Sequence, residues 1–81
     1  MKIQAKITYK VRPTHPDFLY KPDWCWKGKT FTYEDVYHFT NPDWTVEEAK
    51  GYIKSDLRLI ASGGYRRDKI YDEEFEFKEV I

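Results

Sequence analysis

Eighty-one residues bound the chain to a single domain, 1–81, and a chain this short buries only about 60% of its unfolded surface, too little to wall in a deep active site. Basic and acidic side chains balance at 14 each, which argues against a protein that lives on nucleic acid or a membrane. Cys25 is the single cysteine, so no intrachain disulfide forms, and the absence of such staples favours a reducing cytoplasm.

Residues 1–12 alternate strictly. Met1, Ile3, Ala5, Ile7, Tyr9 and Val11 share one face, and Lys2, Gln4, Lys6, Thr8, Lys10 and Arg12 share the other. That period of two predicts an amphipathic strand, ended by Pro13 because proline cannot donate to a ladder. Met1–Lys6 lacks the apolar core of a signal peptide. The longest aliphatic run, Leu59-Ile60-Ala61, is far short of a membrane span. A soluble, cytoplasmic protein is the expectation.

The connection from Pro13 to Gly28 follows. Hairpin loops usually hold 2–5 residues, and this one carries Phe18, Leu19, Tyr20, Trp24 and Trp26, too many apolar groups for a disordered linker. Two readings stand open. The rings are anchors for a partner, or they fold back as a lid over the sheet end or over Tyr52 and Leu59. Pro-Asp-aromatic recurs at Pro16-Asp17-Phe18, Pro22-Asp23-Trp24 and Pro42-Asp43-Trp44, which turn chemistry alone accounts for. His15-Pro16-Asp17 spells the signature tripeptide of J-domains. That family holds it between two long helices, not in a proline-rich loop after a strand, and the match is set aside.

A second strand is expected over about Lys29–Phe39, with Phe31, Tyr33, Tyr37 and Phe39 on one face and Asp35 marking a bulge or a change of face. Thr45-Val46-Glu47-Glu48 fits a capping box, and Val46, Ala49, Ile53, Leu57 and Ile60 form one stripe on a helical wheel. Gly63 and Gly64 supply the stop, so the helix should span 46–61. Alternation around Phe75 and Phe77 predicts a third strand over Ile70–Ile81. The whole reads as a two-layer α+β domain in the order β-β-α-β. A three-stranded antiparallel sheet of order 2-1-3 would carry the helix on one face.

The chemistry-bearing residues are sparse. His15, Cys25 and His38 show no metal-ligand spacing, so neither a metal nor another cofactor is expected. Nothing combines a nucleophile, a base and an orienting group, so the expectation is a protein that is not an enzyme. Cations do cluster: Lys2, Lys6, Lys10 and Arg12 on the first strand, Lys50, Lys54 and Arg58 at i,i+4 on the helix, and Arg66, Arg67 and Lys69 after the glycines. With Trp24 or Trp26 to stack bases they would suit single-stranded nucleic acid. Alternatively, Asp72, Glu73, Glu74, Glu76 and Glu79 neutralise them across the sheet.

Val46-Glu47-Glu48-Ala49-Lys50, Asp56-Leu57, Ile60-Ala61-Ser62-Gly63-Gly64-Tyr65 and the acidic final strand together resemble small accessory proteins of phages and prophages of low-GC Gram-positive bacteria. That resemblance implies an early gene product that binds or inhibits a host protein. The leading expectation is therefore a protein-binding module whose contacts are Phe18, Tyr20, Trp24 and Trp26, with Tyr52 and Tyr65 next. A nucleic-acid binder using Lys6, Lys10, Arg12, Arg66 and Arg67 is the alternative, and a homodimeric accessory protein the second.

Overall fold

The computed structural model describes residues 1–64 and 69–80. Tyr65, Arg66 and Arg67, named above as candidate contacts, lie outside them. In chain order the elements are β1 (Lys2–Val11), a short 3-10 turn (Asp23–Cys25), β2 (Phe31–His38), α1 (Val46–Ala61) and β3 (Ile70–Val80). The strands make one antiparallel sheet of order β2-β1-β3, the expected arrangement, with the helix packed on one face.

The alternation of β1 sets which of its side chains face the helix. Ile3, Ala5, Ile7 and Val11 are buried and meet the buried stripe Ala49, Ile53, Leu57 and Ala61 of α1, with Ile70 of β3 completing the core. The outer face is polar and paired. Lys6 sits 3.4 Å from Glu76, Lys10 is 3.7 Å from Asp72, and Gln4 donates to Glu34. This is cross-strand neutralisation of the kind the acidic third strand suggested.

The helix begins as its capping box specifies. Thr45 Oγ1 accepts from the Glu48 amide at 3.2 Å. It ends in a Schellman motif, with Gly63 at φ 74° and Gly64 at φ 86°, where their amides bond the carbonyls of Ile60 and Leu59.

Two local expectations are corrected. The buried stripe of α1 closes on Ala61 and leaves Ile60, expected in it, exposed. Asp35 marks no bulge, because β2 pairs with β1 in unbroken register from Phe31 to His38. Asp35 opposes Ala5 on the helix-facing side, and its carboxylate caps the Val36 amide at 2.8 Å. The register shift falls instead between Thr8 and Lys10, opposite Asp72, whose φ is 53°. Aspartate tolerates that left-handed conformation better than most residues.

The helix has two unlike flanks. Lys50, Lys54 and Arg58 lean over Phe75 and Phe77 of β3, and Arg58 Nε donates to Glu73 at 2.6 Å. On the β2 side Tyr37 donates its hydroxyl proton to Asp56 at 2.6 Å. Burial, then that hydrogen bond, then the charges of Asp56 and Asp35 raise the Tyr37 pKa above the ordinary phenol value of 10.0.

Two expectations follow. Leu57→Ala should lower unfolding stability by about 2–5 kcal/mol, read by urea denaturation. Because the Tyr37 phenol holds its proton more tightly folded than unfolded, its stabilisation is complete below pH 10.0 and is lost as pH rises above that value. Stability measured from pH 8 upward should therefore fall less steeply in Tyr37→Phe than in wild type.

Candidate functional site

The long connection between β1 and β2 is a chain of consecutive turns. Backbone bonds run from His15 N to Arg12 O (3.0 Å), Phe18 N to His15 O (3.0 Å), Lys21 N to Phe18 O (3.1 Å), Cys25 N to Pro22 O (3.0 Å), Trp26 N to Asp23 O (3.1 Å) and Lys29 N to Trp26 O (3.1 Å). The Pro-Asp pairs at 16–17 and 22–23 sit inside these turns, where proline presets a dihedral and aspartate suits the bend.

His15 fastens the loop to the body. The imidazole is 1% exposed, and its Nε2 lies 2.7 Å from the carbonyl oxygen of Ala61 at the helix end. The Asp17 amide donates to Nδ1 at 3.1 Å. A backbone N–H is an obligate donor, so Nδ1 is bare and the proton sits on Nε2, donated to Ala61. The ring is neutral in this geometry. It satisfies the Ala61 carbonyl at the helix end, beside the two that the glycine amides bond. Pro16 packs so closely on Gly63 that an added Cβ would lie 2.7 Å from its Cγ. The tripeptide that matched nothing by family thus has a structural job as a loop-to-helix clasp.

The aromatic residues divide according to this clasp. Phe18 packs at a tilt between His15 (5.3 Å) and Phe31 (5.1 Å), and Phe31 reaches Tyr9 (6.0 Å). Trp26 is half-buried against the core. Both belong to the lid reading, which holds for this half of the loop. The lid covers the sheet end by Phe31 and the helix C-terminus. Tyr52 belongs elsewhere, in a cluster with Trp44 (5.9 Å) and Phe39 (5.9 Å).

Tyr20 is 95% exposed and Trp24 74%, with Leu19 half-exposed beside them. Lys21, Lys27 and Lys29 of the same connection are also exposed. A cleft of about 550 Å³ opens between the loop and the strand ends, lined by Arg12, Asp23, Trp26, Lys27 and Tyr71 among others. Sequence reasoning named the four loop aromatics together. Their separation into packed and free pairs needed His15, which the sequence offered only as a metal ligand without partners and as part of a tripeptide set aside.

Of the cations of the alternative reading, the three among the described residues are occupied. Lys6 and Lys10 make the ion pairs given above, and Arg12 lies over the Tyr71 ring at 5.1 Å. Among the described residues no group of three or more His, Cys, Asp and Glu is placed to hold a metal ion. None of their helices is long and apolar enough to cross a membrane. No family model, curated protein or solved structure matches the chain.

His15→Ala should cost about 2–4 kcal/mol, from the lost ring and the stranded Ala61 carbonyl. It should also raise amide exchange at Phe18 and Cys25 well above that of β1. Exchange equal across the loop and the strand in both proteins would show that the clasp does not order the loop.

Proposed function

We propose that the protein is a non-catalytic protein-binding module that engages its partner through Tyr20 and Trp24. One observation carries this reading: a tryptophan three-quarters exposed on a loop held by successive turns and a buried clasp. Exposing an indole to water is unfavourable, and ordering a loop costs entropy. A loop ordered before contact meets that cost in folding, so a partner gains the full benefit of burying the ring. Leu19 extends the apolar contact. Phe18 and Trp26 support the platform from beneath rather than touching the partner.

The resemblance of the helix–glycine–strand segment to phage and prophage accessory proteins supports a role as a phage-type inhibitor or regulator of a cytoplasmic host protein. The pairing of Lys6 and Lys10 with carboxylates favours a protein over a nucleic acid as partner.

Affinity capture from a Gram-positive lysate tests the reading, with wild type and Tyr20→Ala/Trp24→Ala compared, each with and without nuclease. A host protein retained by wild type after nuclease and lost by the double variant is the expected result. Capture that nuclease abolishes, or that the double variant retains, overturns it. The same surface logic separates the two tryptophans in stability. Trp24→Ala should change unfolding free energy by no more than about 0.5 kcal/mol, whereas Trp26→Ala should cost about 1.5–3 kcal/mol, both read by denaturant titration.

A further inference from the structure

β2 and β3 are both edge strands, and they are protected differently. β3 carries the irregularity at Asp72, and Glu74, Glu76 and Lys78 alternate along its outer face. Lys50, Lys54 and Arg58 overhang it from the helix. Bulges and charges are what keep a strand edge from pairing with another. β2 has no bulge and no lysine or arginine, and its only charged side chains are the carboxylates Glu34 and Asp35.

The helix repeats the asymmetry. Lys50, Lys54 and Arg58 follow one another on the β3 side, while Tyr52, Asp56 and Ile60 follow at the same spacing on the β2 side. Tyr52 is 52% exposed and Ile60 39%. Tyr33 and Tyr37 of β2 are half-buried on the helix side of the sheet, and Val36, paired with Gln4, is exposed on the other face. The helix flank of Tyr52, Asp56 and Ile60 carries no basic side chain and, with Tyr33 and Tyr37, lines the open strand edge with the aromatic groups that interfaces favour.

We propose that this side of the molecule binds a second copy of the chain, β2 pairing antiparallel with β2 about a two-fold axis through Val36, so that one continuous sheet carries both helices on one face. The hydrogen-bonding phase allows it. Met1 and Phe39 exchange ladder bonds, each 2.8 Å, between the Met1 ammonium and the Phe39 carbonyl and between the Phe39 amide and the Met1 carbonyl. Alternation along the unbroken register then turns the N–H and C=O of Phe31, Tyr33, Asp35 and Tyr37 toward β1. Those of Thr32, Glu34, Val36 and His38 face the open edge. The Asp35 carboxylate occupies the Val36 amide in the single copy, and the second copy's Val36 carbonyl takes its place on pairing.

Charge selects the register. A two-fold axis normal to the sheet sets one residue of β2 opposite itself. At Glu34 or Asp35 a carboxylate would face its own copy, which is destabilising. At Val36 the opposed pairs are Val36 with Val36, Glu34 with the second copy's His38, Asp35 with the second copy's Tyr37, and Tyr33 with the second copy's Phe39. Glu34, Asp35 and Asp56 of two copies still gather in one region, so added salt should strengthen the dimer by screening them. This surface is separate from Tyr20 and Trp24 and does not rest on their role. A dimer carries two such loops, and a partner with two sites would gain avidity.

Light scattering and sedimentation of the full chain from micromolar to millimolar concentration test the proposal, together with two variants. The Val36 amide faces away from β1, so Val36→Lys leaves the β1–β2 ladder intact. Its circular dichroism should match wild type while dimerisation weakens by about tenfold or more. In a Cys25→Ala background, Val36→Cys places two thiols on the axis, where Cα atoms of a hydrogen-bonded pair are about 5.5 Å apart, within disulfide reach. Mild oxidation should cross-link it much faster than Thr32→Cys in the same background. A monomer mass at all concentrations overturns the proposal. So does a dimer that persists in Val36→Lys, or a Thr32→Cys variant that cross-links as fast as Val36→Cys.

Discussion

The buried contact between His15 and the Ala61 carbonyl governs how the rest of the surface is used. A helix C-terminus leaves carbonyls that need donors, and a long loop leaves chain that needs anchoring. One neutral imidazole meets both needs, since its two nitrogens take opposite hydrogen-bond roles toward Ala61 and the Asp17 amide. Phe18 packs at a tilt against that ring, the turns continue to the 3-10 segment, and Trp26 closes the far end against the core. Between these two fixed points Tyr20 and Trp24 have no interior left to enter.

This arrangement explains why so small a chain keeps so many aromatic residues, 3 Trp, 7 Tyr and 5 Phe. The aliphatic core is narrow, one row from β1 and one stripe from α1. Rings extend it at both ends. Tyr9, Phe18 and Phe31 cap one end, and Phe39, Trp44 and Tyr52 the other. Rings at such positions are half-buried by construction, which suits side chains with an apolar body and, for tyrosine and tryptophan, a polar tip. The greater exposure of Tyr20 and Trp24 stands out against that background.

Charge is apportioned in the same economical way. The balanced total conceals a sheet face that neutralises itself, a basic helix flank over β3 and an acidic, aromatic flank over β2. Lysines that read as a stripe in one dimension become pairs in three, because antiparallel register brings Glu76 beside Lys6 and Asp72 beside Lys10. The flank over β2 is left with carboxylates held by tyrosine hydroxyls, and neither β2 nor that side of the helix supplies a cation to block the edge.

The sequence by itself determined what repeats locally. Strict alternation in residues 1–12, the Thr45 capping box, the paired glycines and the alternation around Phe75 and Phe77 are signals of period or of single-residue geometry, and each survived with its element. The strand order 2-1-3 was legible too, because the helical crossover leaves the first strand as the one to fill the gap. Tertiary structure decided what depends on neighbours far away in the chain. Asp35 read as a bulge because an acid interrupts an apolar face, yet its carboxylate finds an amide next door and the register holds. Asp72 gave no signal, since a bulge depends on how two strands fit. Phe18, Tyr20, Trp24 and Trp26 were alike as residue types. Only the bond between His15 and Ala61, 46 residues apart, could sort them, because no local pattern records which carbonyl at a helix end lacks a donor.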